Sequence, residues 1–148
     1  MRGYFGVGIY HTKTEVNVGT LYRSAYQLGA AFVFTIGRRY KPKASDTYKT
    51  TRHIPLYHYK DFNQFQENRP VGAELVGIEM AERAQHIPGF VHPQRAIYLL
   101  GAEDHGLPPE ISSKCQHLVM LNGGSFNVAV AGSIVMYDRK PSPKGAAA

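Results

Sequence analysis

The chain has 148 residues, 43% hydrophobic and 19% charged, the balance of an ordinary globular protein with a real core. It contains no apolar run near the roughly 20 residues of a membrane helix. Its single cysteine, Cys115, excludes an internal disulfide and makes a reducing cytoplasm the expected compartment, with no membrane partner. The net charge of +6 is concentrated in one place. Between Arg38 and Lys60 there are seven Lys/Arg against one acid, Asp46, and the other 125 residues are neutral.

In chain order, the N-terminal MRGYFGVGIY lacks a small-residue cleavage site, so Tyr4–Tyr10 reads as a first strand rather than part of a leader. Asn17 is a candidate cap for a helix that carries Leu21, Ala25 and Leu28 on one face and stops at Gly29. Ala31–Ile36 reads as a second buried strand, closed by Gly37. The basic stretch follows, with Tyr40, Tyr48, Tyr57 and Tyr59 among its cations. A solvated loop is the plain reading of such a segment. The confinement of all the net charge to it favours a polyanion, whose phosphates the cations track and whose unpaired bases the rings stack on.

Ile54–Tyr59 is a predicted short strand and Asp61–Glu67 one or two helical turns. Ala73–Met80 and Arg95–Leu100 are further strands, the latter ending on Gly101. A modest helix is expected from Pro108 or Pro109 to Lys114, then a last strand over His117–Leu121. Ser125–Tyr137 reads as a helix that is apolar nearly all round, with Ala129, Ala131, Gly132 and Ser133 small enough for close packing, so it must be covered on more than one side. From Lys140 the low-complexity KPSPKGAAA is expected to be a disordered tail. Alternating strands and helices predict a single-domain α/β fold with a mainly parallel sheet and helices on both faces, spanning residues 1–139. In such sheets ligands sit beyond the carboxyl ends of the strands.

Several chemistries lack their sequence requirements. The seven histidines have no zinc-like spacing with Cys or carboxylates, so no metal site is expected. There is no Walker loop and no GxGxxG after the first strand. Ser125 lacks a hydrolase elbow, and Cys115 has no evident activating base.

Three segments carry a signal. The first is Asn17-x-Gly19-x-x-x-Arg23-x-Ala25-x-x-x-Gly29, the second Leu99-Leu100-Gly101-Ala102-Glu103-Asp104-His105-Gly106-Leu107, and the third Ser125-Phe126-Asn127-Val128-Ala129-Val130-Ala131. In this order they resemble the three motifs of SpoU-type (TrmH-like) RNA ribose 2′-O-methyltransferases of the SPOUT class, over residues 4 to 139. The pattern differs in the loop Met120–Gly124, which is about three residues shorter and lacks a proline, and in Phe126, where Leu or Met is usual.

The resemblance implies a C-terminal trefoil knot, S-adenosylmethionine as cofactor, and a homodimer packed through the last helix with each active site completed by the partner. It implies cofactor contacts at Ile78, Leu100, Gly101, Met120, Leu121 and Ser125. It implies catalytic roles for Arg23, Asn17, Glu103, Ser125 and Asn127. Arginine stays protonated, so Arg23 is expected to grip a phosphate and stabilise the forming alkoxide rather than act as a base. Methyl transfer from an activated sulfonium needs no metal. RNA, with tRNA ahead of rRNA, is the implied substrate. Nothing in these residues resembles the RNA-binding domains appended in many relatives, so Arg38, Arg39, Lys41, Lys43, Lys49 and Arg52 are expected to hold it. The alternative is a non-catalytic RNA-binding protein that retains the fold.

Overall fold

The computed structural model describes residues 3–12, 14–39, 53–101 and 106–139. Seven strands form one sheet: β1 (Tyr4–Tyr10), β2 (Phe32–Ile36), β3 (Leu56–Tyr59), β4 (Glu74–Ile78), β5 (Gln85–His86), β6 (Arg95–Leu100) and β7 (His117–Met120). Their spatial order is β3-β2-β1-β6-β4-β7-β5, and every pairing is parallel. The carboxyl ends of all seven therefore lie along one edge.

The central strands read as near-continuous apolar runs because both faces are covered. On one face, Phe5, Val7, Ile9, Tyr98 and Leu100 pack against α1 (Glu15–Leu28) and α4 (Val128–Arg139). On the other, Phe34, Ile36, Leu75, Ile97 and Leu99 pack against α2 (Phe62–Asn68) and α3 (Pro109–Ser112). The predicted parallel sheet with helices on both faces is what the chain forms.

The element boundaries move in informative ways. Helix α1 begins at Glu15 with Thr14 at the cap position, so Asn17 is not the N-cap but sits inside the first turn. Gly29 ends α1 as expected, at φ 91°, a conformation that costs a side-chain-bearing residue energy. Helix α4 starts at Val128 rather than Ser125, which leaves Ser125–Asn127 as loop, and it runs on to Arg139. Strand β4 stops at Ile78, short of the predicted Met80. Strand β5 has only two residues and pairs at the sheet edge with β7; two residues are too few to show an alternation. The tail from Lys140 lies outside the described residues.

The small residues of α4 have a reason within the chain. A methyl group on Gly132 would run into Leu21 of α1 and Leu100 of β6. What remains outward is the stripe Val130, Ile134 and Tyr137, all exposed, which borders a groove of about 400 Å³ with Thr20 and Leu28 of α1.

The far end of α4 is fastened beneath the sheet, at the amino ends of β1 and β6. Arg139 is only 8% exposed. Its guanidinium donates to Pro93 O at 2.6 Å, to Gln94 O at 2.8 Å, and to the Tyr98 hydroxyl at 3.2 Å. It also lies 5.1 Å from the Phe5 ring centre. His92 bridges the Tyr98 hydroxyl and the Asp138 carboxylate, at 2.7 Å each. Burial raises the Tyr98 phenol above its ordinary pKa, against the opposing pull of the Arg139 hydrogen bond and charge. Replacing Arg139 by Met strands several buried carbonyls and removes this clamp. Arg139→Met is expected to destabilise the protein by about 3 kcal/mol, read as a lower urea midpoint with unchanged slope.

Candidate active site

Beyond the carboxyl ends of β4, β6 and β7 lies a cavity of about 320 Å³, within the size range of small-molecule sites. Its wall is built from strand ends and the loops that leave them. Ile78 ends β4 and Glu79 and Met80 follow it, Leu100 ends β6 and Gly101 follows it, and Met120 ends β7 and Leu121 follows it. Gly106, Gly124, Ser125 and Phe126 come from the loops, and Val128 and Ala131 from the start of α4. All six positions expected to touch a cofactor, Ile78, Leu100, Gly101, Met120, Leu121 and Ser125, lie on this one wall.

Gly101 is required for a different reason from a ligand pressed on its backbone. A Cβ there would collide with the Gly106 carbonyl carbon and the Leu107 nitrogen, so two runs of the same chain cross at van der Waals contact. On the far side of that crossing, the Glu79 carboxylate accepts the Leu107 N–H through Oε2 and lies against the Gly106 Cα. The Glu79 N–H in turn donates to Val119 O at 3.0 Å, extending the β4–β7 ladder by one residue. Reading β4 through to Met80 had hidden Glu79 as a strand residue, although the strand-end rule points to this position.

The first and third motifs meet. Asn127 Nδ2 donates to Asn17 Oδ1 at 3.0 Å, while Asn127 Oδ1 accepts from the Ala129 and Val130 amides at 2.9 and 3.2 Å. Asn127 is thus the N-cap of α4, and its amide group ties that cap to the first turn of α1. Arg23 is exposed on α1 and is not among the described residues of the cavity wall. Glu103 lies outside the described residues.

Arg38 and Arg39 are exposed just past β2, on the same sheet edge as the cavity. Beside them His58 Nδ1 is 2.9 Å from Thr35 Oγ1, and burial together with the Arg39 charge lowers the His58 pKa. Lys41, Lys43, Lys49 and Arg52 lie outside the described residues. Cys115 is buried under α3, its thiol pushed up to about 11 by burial, the opposite of an activated nucleophile. Among the described residues no cluster of three or more His, Cys, Asp or Glu is placed to hold a metal. No helix among them is long and apolar enough to cross a membrane.

Parallel α/β architecture with a cavity at the carboxyl edge defines the class, and comparison with known proteins supplies the family. Residues 5–137 match the model of the SpoU rRNA Methylase family, and the chain belongs to that family. Among solved structures it is similar to the AdoMet-bound rRNA methyltransferase from Sinorhizobium meliloti, at 22% identity and TM-score 0.79, over 94% of this chain and 56% of that one. It is also similar to the TrmH/SpoU tRNA modifying enzyme of A. aeolicus, at 17% identity and TM-score 0.82, over 94% and 75%. A third, from work on the 2-OH methylation of C/U34 on tRNA, has 22% identity and TM-score 0.75, over 94% and 90%. At these identities the likeness is one of fold. The chain spans little more than half the length of the Sinorhizobium protein. No curated protein sequence matches it.

The double role of Asn127 makes a separable prediction. Asn127→Ala is expected to cost about 1 kcal/mol through loss of the α4 cap, whereas Asn127→Asp keeps the capping oxygen and costs less than half as much. Urea unfolding of the two variants, compared with wild type, checks the order.

Proposed function

We propose that the protein is an S-adenosylmethionine-dependent RNA methyltransferase that modifies a ribose 2′-hydroxyl. The observation that carries this reading is the convergence of Ile78, Leu100, Gly101, Met120, Leu121 and Ser125 on one cavity wall. Family membership supports RNA methylation, and a structural relative bound to AdoMet supports the cofactor. The relative described by 2-OH methylation of tRNA supports the ribose and the choice of tRNA as substrate in this reading. A cytoplasmic location and the C-terminal knot belong to the same proposal.

The cavity fits the cofactor in kind. Side chains such as Ile78, Leu121 and Val128 offer apolar contact area, and the backbone of the strand ends and loops offers polar groups. When bound there, S-adenosylmethionine would supply a methyl group already activated on a sulfonium.

The chain's own residues then have to position a ribose and stabilise the oxygen that attacks. Ser125, exposed at the cavity mouth, and the Asn17–Asn127 pair are suited to orient the nucleotide. Arg23 serves as the phosphate grip and alkoxide stabiliser through its guanidinium. Glu103 belongs to the same network in this reading.

Since Arg23 does not line the cavity of its own subunit, the reading requires a second copy to deliver it. The exposed Val130, Ile134 and Tyr137 stripe beside α1 is the apolar surface available for that dimer. RNA approaches along the sheet edge, guided by the basic stretch that starts at Arg38 and Arg39 and includes Lys41, Lys43, Lys49 and Arg52.

The test uses labelled S-adenosylmethionine and total RNA, followed by alkaline hydrolysis, which cannot cleave next to a 2′-O-methyl. Wild type is expected to give alkali-resistant labelled dinucleotides. Arg23→Ala and Gly101→Ala are each expected to lose at least 100-fold in rate. Mixing the two variants is expected to restore a measurable fraction of activity, because a mixed dimer holds one site with both residues intact. Label in alkali-labile nucleotides would refute ribose methylation, and failure of the mixture would refute the shared site. No label at all, with cofactor bound, would favour an RNA-binding role without catalysis.

A further inference from the structure

Among the described residues thirteen line the cavity, and of these Glu79 alone has an ionisable side chain. The remainder are aliphatic, aromatic, glycine, methionine or a serine. The charge is held in place rather than free to swing out to solvent. The Glu79 backbone continues the β4–β7 ladder through its bond to Val119 O, and Oε2 is engaged by the Leu107 amide. The carboxylate so held is part of the cavity wall.

The cofactor and its product differ in charge. S-adenosylmethionine carries a carboxylate, an ammonium and a sulfonium, for a net charge of one positive. In transfer the carbon–sulfur bond breaks and its electron pair stays on sulfur. The methyl goes to the ribose oxygen and the hydroxyl proton to solvent. The remaining thioether, S-adenosylhomocysteine, has no net charge and is otherwise nearly the same shape. Uncharged walls bind the two about equally, so discrimination falls to a fixed charge. In a partly desolvated cavity, a unit charge a few ångströms from a cation is worth more than it is in water.

We infer that Glu79 is the charge-selecting residue of the cofactor cavity, favouring the sulfonium cofactor over the neutral product and so easing product release. The inference rests on the cavity being the cofactor site, as proposed above. It gives Glu79 two separable duties. As an acceptor it holds Leu107 and the crossing at Gly101; as an anion it sets the preference between the two ligands. Gln at this position keeps an acceptor for the Leu107 N–H and removes only the charge.

The experiment is calorimetric titration of wild type and Glu79→Gln with three ligands: S-adenosylmethionine, S-adenosylhomocysteine and sinefungin. Sinefungin replaces the sulfonium methyl with a carbon bearing an ammonium and so keeps the positive charge. For Glu79→Gln, the Kd of S-adenosylmethionine and of sinefungin is expected to rise by about five- to twentyfold. The Kd of S-adenosylhomocysteine is expected to move by less than about twofold, which also reports that the variant's cavity is intact. Equal weakening of all three would reduce Glu79 to a tether for Leu107 and overturn the inference. So would three unchanged affinities. If wild type binds none of the three, the cavity itself has been misassigned and the proposed function falls with it.

Discussion

The site depends on one close contact of backbone with backbone. Gly101, at the end of the central strand β6, lies against Gly106 and Leu107 so closely that no Cβ fits between them. The Glu79 carboxylate fastens the outer run by accepting the Leu107 N–H. Three strand ends are thereby held at fixed spacing, because Glu79 also pairs with Val119 of β7. The cavity is the space those ends leave between them and the first turn of α4. Its shape is set by hydrogen-bonded ladder and close packing, which deform little.

Around that contact, the two ends of α4 do opposite work. Its carboxyl end is pinned by Arg139 among the carbonyls of Pro93 and Gln94. Its amino end is capped by Asn127 and tied to Asn17. The helix is therefore fixed along its length while its outer stripe, Val130, Ile134 and Tyr137, stays uncovered. The charge follows the same geometry. Because every pairing is parallel, Arg38 and Arg39 leave β2 on the edge that carries the cavity, so a polyanion held by them passes the site rather than the far side of the sheet.

Much of this was legible in the residues. The parallel sheet follows from strands and helices that alternate along the chain, and Gly29 and Gly101 mark real stops. The cofactor wall was legible only through the family resemblance, since no spacing brings Ile78, Leu100 and Met120 together without the strand order. What escaped did so for physical reasons. Asn17 has the chemistry of an N-cap, but Thr14 takes that position and frees Asn17 to bond Asn127. Ser125 and Phe126 continue the apolar run of α4, yet the chain turns helical only after Asn127 satisfies the first amides. Glu79 was hidden because hydrophobic pattern does not distinguish the last strand residue from the first one past it. Strand β5 has too few residues to leave a pattern at all.

The central claim is that the cofactor binds at the carboxyl ends of β4, β6 and β7. Methyl-selective NMR of Ile, Leu and Met during titration with S-adenosylmethionine addresses it directly. The expected result is movement of the Ile78, Leu100, Met120 and Leu121 methyl signals, with Ile54, Ile111 and Ile134 unaffected. Shifts centred on Ile111 or Ile134, or a titration that leaves Ile78, Leu100 and Met120 unmoved, would contradict it.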